Sequence, residues 1–178
     1  ETFVTRKITR AIAKMALGLQ DILYLGNLDS QRDWGHAKDY VRMMWMILQA
    51  DKPDDWVIAT GKTNSVRDFI GLAFKNVGVE IEYKGKGVNE IGIISNTSNK
   101  NYKFKIGQTV VAVDSKYFRP SEVDILVGDA SKAKKELNWE PKIGLEELVQ
   151  DMMLSDLKVM KKDLDLLKLG YTPKNYFE

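Results

Sequence analysis

The sequence has no cysteine and a single histidine, His36. The first absence excludes disulfides and thiolate chemistry, and the two together argue against a zinc site, which needs several converging nitrogen or sulfur ligands. A chain without cysteine is compatible with a reducing compartment, so a cytoplasmic location is the expectation. Long apolar runs are missing as well. A membrane span needs about 20 apolar residues, and the most apolar stretch, Met43 to Leu48, soon meets Gln49 and Asp51. No membrane partner is expected, and the chain reads as soluble. Nor is there a surplus of one charge: 27 Lys plus Arg stand against 25 Asp plus Glu, a net of +2. That balance is too even for nucleic acid as the main partner, and the basic first segment lacks interleaved aromatics. Internal repeats, heptads and low-complexity tracts are absent too. The 178 residues suffice for one ordinary domain. The chain opens on Glu1-Thr2-Phe3-Val4, without an initiator Met or a leader, and reads as a piece of a longer chain.

What is present alternates between helical and extended patterns. Val4, Ile8, Ile12, Met15 and Ala16 recur at helical spacing from Phe3 to Leu17, with Gly18 as the stop. Ile22 to Leu25 predicts a short strand, and a loop carrying Arg32 follows it. A second helix is expected from His36 to Gln49, with Val41, Met44, Trp45 and Leu48 on one face. His36 lies beside Trp34 at its start and reads as a hydrogen-bonded structural histidine rather than a general base. The near-continuous apolar run Trp56-Val57-Ile58-Ala59-Thr60 predicts a strand buried on both faces of a parallel sheet. A helix starting at Ser65 carries the core stripe Val66, Phe69, Ile70, Ala73, Phe74 and Val77, and a strand from Val79 to Tyr83 comes next. Lys84 to Gln108 reads as a long loop or loose hairpin, followed by a strand from Val110 to Val113. Asp129 caps a short helix, Ser131 to Leu137, closed by Asn138, and a long amphipathic helix begins at Leu145. The methionines in these stripes, Met43, Met44, Met46, Met152 and Met153, read as core filling. Strands alternating with helices predict an α/β fold.

Two arginines stand out. Arg32 and Arg119 each sit in a loop just after a predicted strand, where α/β folds place their ligands. A guanidinium offers a planar fork suited to phosphate oxygens, so two of them on opposite lips would clamp a diphosphate. Lys7 is a third candidate cation, and Glu122, three residues after Arg119, could accept ribose hydroxyls. The same arginines suit ordinary surface ion pairs, with Glu122 the partner of Arg119, and the residues alone leave both readings open. Gly85, Gly87 and Gly92 fail the G-x-G-x-x-G spacing, and none of the seven tyrosines is followed by Lys at the fourth position. We therefore expect no catalytic, cofactor-binding or metal-ligating residue in this chain.

Glu1 to Lys7, Gly26 to Tyr40, Val111 to Asp114 running into Tyr117-Phe118-Arg119-Pro120-Ser121-Glu122-Val123, and Gly128 to Ala133 before Trp139-Glu140-Pro141 together resemble the C-terminal half of the GDP-mannose 4,6-dehydratases, within the extended short-chain dehydrogenase/reductase family. The strings Thr5-Arg6-Lys7 and Arg32 to Tyr40 carry most of that likeness. The resemblance implies an α/β fold that is the C-terminal part of an extended NAD(P)-binding Rossmann-type fold with its nucleotide-sugar-binding domain. Residues 1–170 would form that portion and 171–178 a tail, with the strand and helix around 56–77 joining the Rossmann sheet and the dinucleotide-binding half absent. It implies GDP-mannose as ligand, with Lys7, Arg32 and Arg119 on the diphosphate, Glu122 on the ribose, and Val4, Leu25 and Gly26 near the nucleoside. In that family NADP takes hydride from sugar C4, water leaves across C5 and C6, and the hydride returns to C6. A dimer or tetramer is expected of the whole protein, and no turnover of this piece alone. Another nucleotide-sugar enzyme of the same family, or a non-catalytic phosphate-binding module, are the alternatives.

Overall fold

The computed structural model describes residues 3–118 and 123–173. In chain order the elements are α1 (Val4–Leu17), β1 (Leu23–Leu25), β2 (Gln31–Arg32), α2 (Ala37–Leu48), β3 (Asn64–Ser65), α3 (Val66–Lys75) and β4 (Val79–Lys84). Then come β5 (Ile91–Thr97), β6 (Thr109–Val113), β7 (Ile125–Leu126), α4 (Ser131–Leu137) and α5 (Leu145–Lys168), with 3-10 turns at 87–89 and 115–117. The chain divides into two compact units, one formed by residues 1–28, 67–120 and 149–178, the other by 29–66 and 121–148.

The first unit is built on a four-stranded sheet of order β1-β6-β5-β4. β1 runs parallel to β6, whereas β5 pairs antiparallel with both β6 and β4. The expected helix from Phe3 to Leu17 is α1, which buries Ile8, Ala11, Ile12, Met15 and Ala16 and ends on Gly18 in the left-handed conformation. The core stripe read on α3 is buried throughout, from Val66 to Val77. Phe74 meets the edge of Phe104 with ring centroids 6.1 Å apart. On α5, Val149, Met153, Asp156 and Met160 are buried at three- and four-residue spacing. The segment read as a loop, Lys84 to Gln108, instead contains β5, an inner strand of this sheet. Gly92 breaks its apolar alternation because Val111 occupies the place of a side chain: a Cβ there would lie 3.0 Å from Val111 Cβ.

The second unit holds a small sheet of order β3-β2-β7 and the helices α2 and α4. Its core is Met43, Ala133 and Trp139, against which Tyr40, Met46, Ile47, Trp56 and Ile58 pack. The buried Asp39 carboxylate ties it together: Oδ2 accepts from the N–H groups of Lys142 and Ile143, both at 2.9 Å, and the Asp39 carbonyl accepts from the Trp139 indole at 3.2 Å. Asn138 ends α4 with φ 51° and ψ 35°, as its expected role requires.

Three expectations fail in this unit. Arg32 lies not in a loop but in β2, which β3 and β7 flank. The segment 56–60 is extended but belongs to no ladder among the described residues. The stripe of Val41, Met44, Trp45 and Leu48 faces solvent, while Met43 points into the core. Met44 is therefore not core filling.

Candidate functional site

Four of the seven candidate ligand residues lie in the first unit. Val4 and Lys7 stand on the first two turns of α1, and Leu25 and Gly26 end β1. Two of them converge on Tyr117. Lys7 Nζ sits 3.5 Å above the centroid of the Tyr117 ring, a cation held on the negative face of an aromatic. Gly26 faces the Tyr117 backbone, and any Cβ at position 26 would collide with the Tyr117 carbonyl oxygen. The register β1-β6 produces this approach: Leu25 pairs with Val113, and the Leu25 carbonyl accepts the Asp114 N–H at 2.8 Å. The Asp114 carboxylate then takes the Lys116 N–H at 2.9 Å, which opens the 3-10 turn carrying Tyr117. Leu25 itself is buried, so its side chain belongs to the core.

Arg32 lies in the second unit. Its Nη1 donates to the carbonyls of Gln31 and Val123, each at 2.8 Å, so the guanidinium braces β2 against the segment that becomes β7. Arg119 and Glu122 fall outside the described residues. The diphosphate clamp read from Arg32 and Arg119 therefore stands as a sequence expectation.

Two arrangements escaped sequence reasoning. The first is the Asp33 carboxylate, next to Arg32. Oδ1 accepts from the Thr60 N–H at 2.9 Å and the Thr60 hydroxyl at 2.5 Å, and Oδ2 from the N–H groups of Gly61 at 2.9 Å and Gly128 at 3.3 Å. One acid thus joins three chain segments. The Tyr40 phenol is pushed above its ordinary value, chiefly by burial and next by the Asp33 charge. The second is Arg67, which forms a two-pronged ion pair with Glu90 at 2.7 and 3.2 Å and stacks over Tyr83 at 4.3 Å. Only the Thr-Gly and Gly-Asp dipeptides at 60–61 and 128–129 hinted at turns needing an acceptor.

His36 is buried at the start of α2, where Nδ1 accepts the Lys38 N–H at 3.1 Å, the structural role expected of it. Gly85 and Gly87 border a 3-10 turn and Gly92 lies within β5, so none of the three opens a helix toward a dinucleotide phosphate. Among the described residues no group of three His, Cys, Asp or Glu side chains could hold a metal ion, and no helix is long and apolar enough to cross a membrane.

Comparison with solved structures places this architecture among Rossmann-type nucleotide-sugar enzymes. RMD from Pseudomonas aeruginosa complexed with NADPH superposes with a TM-score of 0.65 at 17% identity, over 88% of this chain and 43% of that one. dTDP-glucose 4,6-dehydratase from Bacillus anthracis in complex with NAD gives a TM-score of 0.58 at 17% identity, over 86% and 40%. At such identities the likeness concerns the fold alone. Sequence relatives are much nearer. GDP-mannose 4,6-dehydratase of Yersinia enterocolitica is 56% identical over 172 residues, 96% of this chain and 46% of its own length. The human GDP-mannose 4,6 dehydratase is 49% identical over 159 residues, 89% of this chain and 40% of its own length. The chain thus spans somewhat under half the length of the curated relatives it matches. The family model for GDP-mannose 4,6 dehydratase matches residues 1–152, and this chain belongs to that family.

Proposed function

We propose that this chain is the C-terminal, nucleotide-sugar-binding portion of a GDP-mannose 4,6-dehydratase, a lyase that converts GDP-mannose to GDP-4-keto-6-deoxymannose with NADP as cofactor. The observation that carries the reading is 56% identity to the Yersinia enterocolitica enzyme across 172 residues, unbroken by a change of fold. The chain's own residues offer binding and positioning rather than chemistry. Lys7, held over Tyr117, brings a cation to the end of β1, where Gly26 lets the backbone approach closely. Arg32 supplies a guanidinium fixed by two carbonyls, and Arg119 and Glu122 would add the second phosphate fork and the ribose acceptor.

The glycines present do not fit a dinucleotide loop, so NADP would be held by the length of the relatives that this chain does not span. The whole protein would act in the cytoplasm as a dimer or tetramer. The test is a chimera in which this chain replaces the matching segment of the Yersinia enterocolitica relative. It should consume GDP-mannose and leave UDP-glucose and dTDP-glucose untouched. A folded, NADP-binding chimera that prefers a uridine or thymidine sugar would overturn the reading.

A further inference from the structure

Helix α2 is apolar on two opposite faces. One face lies in the core of the second unit, with Met43 fully buried among Tyr40, Ile47, Trp56, Ala133 and Trp139. The other carries Val41, Met44, Trp45 and Leu48, at i, i+3, i+4 and i+7, which are 62%, 54%, 62% and 80% exposed. No charged residue interrupts that second stripe. A helix that meets water on its outer face carries polar residues there, whereas one apolar all round lies between two layers.

A second observation lies in the same unit. The extended run 56–60 has the composition of a doubly buried strand yet joins no ladder among the described residues. Val57 is half exposed, and the Trp56 indole N–H is buried without an acceptor. Ile125, Leu126 and Val127 are half exposed beside it in sequence to Gly128, whose Cβ position falls on Ala59. The unit's own sheet has three strands of two residues each, too little to cover these surfaces.

We infer that the outer stripe of α2 and the segment 56–60 form one docking surface for a parallel β-sheet, supplied by the part of the family's length that this chain does not span. The inference rests on family membership and on the reading above. A sheet satisfies both observations at once: its face covers an apolar helix stripe, and its open edge pairs an unpaired extended segment. The length needed is there, because this chain covers 46% of the Yersinia enterocolitica relative and 43% of the NADPH-bound structure of the same fold.

Since the chain has no cysteine, single thiols can report on the surface. Trp45→Cys and Leu48→Cys, with Val88→Cys as the exposed reference, are introduced into the 178-residue chain and into the chimera with the Yersinia enterocolitica relative. Alkylation is read site by site by mass spectrometry, and amide exchange is followed at 56–59. Positions 45 and 48 should react at least about tenfold more slowly in the chimera, position 88 equally in both, and exchange at 56–59 should slow. Equal reactivity at 45 and 48 in both proteins overturns the inference. So does concentration-dependent protection in the 178-residue chain alone, which would make a second copy the occupant.

If the chimera is insoluble, the chain and the remainder of the relative are co-expressed as separate polypeptides. Co-purification abolished by Trp45→Glu supports the docking surface; its absence, or indifference to Trp45→Glu, overturns it. Neither readout needs turnover. A chimera that protects position 45 but ignores GDP-mannose sinks the proposed function and leaves the surface standing.

Discussion

Lys7 and Tyr117 lie about 110 residues apart in sequence and in direct contact in space, with Nζ 3.5 Å from the ring centroid. The contact keeps a flexible four-carbon stem in one place, so the ammonium is positioned before any anion arrives. Replacing Tyr117 by Leu should cost about 0.5–1 kcal/mol of stability, the scale of a partly exposed cation–π pair. A double-mutant cycle with Lys7→Met, read by urea unfolding, measures it. Additive single effects would mean that the two side chains are not coupled.

Asp33 should be among the costliest polar positions to replace in the second unit. Asp33→Ala removes the acceptor for four donors from Thr60, Gly61 and Gly128, at about 1.5–3 kcal/mol for a bond to a charged group, with the losses overlapping. We expect roughly 3 kcal/mol in total. Asp33→Asn, which retains one acceptor oxygen, should lose less. Unfolding midpoints of the two variants decide it, and an unchanged midpoint for Asp33→Ala would sink the claim.

Asp156 is a fully buried carboxylate on α5. It accepts from Thr9 Oγ1 at 2.7 Å and lies 3.0 Å from Arg6 Nη2, with Arg10 Nε at 4.0 Å. Removing one member of a buried charge cluster strands the others, so Asp156→Ala should destabilise by about 3–5 kcal/mol. Thr9→Val, which takes away one hydrogen bond, should cost about 1 kcal/mol. Thermal unfolding of both variants gives the comparison, and equal effects would contradict the buried-charge account.

The Asp54–Lys132 pair, 2.7 Å apart, makes a pH-dependent contribution of known sign. The hydrogen bond from Lys132 holds the Asp54 carboxyl below its ordinary range, and the same bond holds the Lys132 ammonium above its own. A lowered acid stabilises the fold above its unfolded value of about 3.9 and loses that as pH falls through the folded value. A raised base stabilises below about 10.4 and loses that as pH rises through the folded value. The difference in Tm between the parent chain and Asp54→Asn should therefore be present near neutrality and vanish at both extremes. Because both groups are exposed, it should also shrink in high salt. A difference independent of pH would rule out the pair as its source.

Much of the first unit was legible because its helices bury one stripe each. The spacing of Ile8, Ile12 and Met15 on α1, and of Phe69, Ile70, Ala73 and Phe74 on α3, points to the face that is buried. α2 defeats the same reasoning. Periodicity detects a stripe, and this helix has two, of which the more regular one lies outside the unit's own core. β5 was missed because Gly92 and Ser95-Asn96 dilute its pattern, yet the glycine is there to admit Val111. Of the candidate site, the likeness of the Thr5 to Lys7 and Arg32 to Tyr40 strings identified the family. Asp33 was invisible as a junction, since its partners at 60, 61 and 128 are backbone groups that sequence does not label.

The second unit is assembled from two stretches, 29–66 and 121–148, so α2 cannot complete its core until Trp139 has been made. At a synthesis rate of about 5–20 residues per second, the wait after Leu48 lasts on the order of 5–20 s. Throughout it, the nascent chain displays an amphiphile with two greasy sides and no polar one to shield it. That makes residues 37–48 the natural place for a holdase to grip during translation, and the stretch most prone to mispair with neighbouring chains when expression outruns chaperone supply.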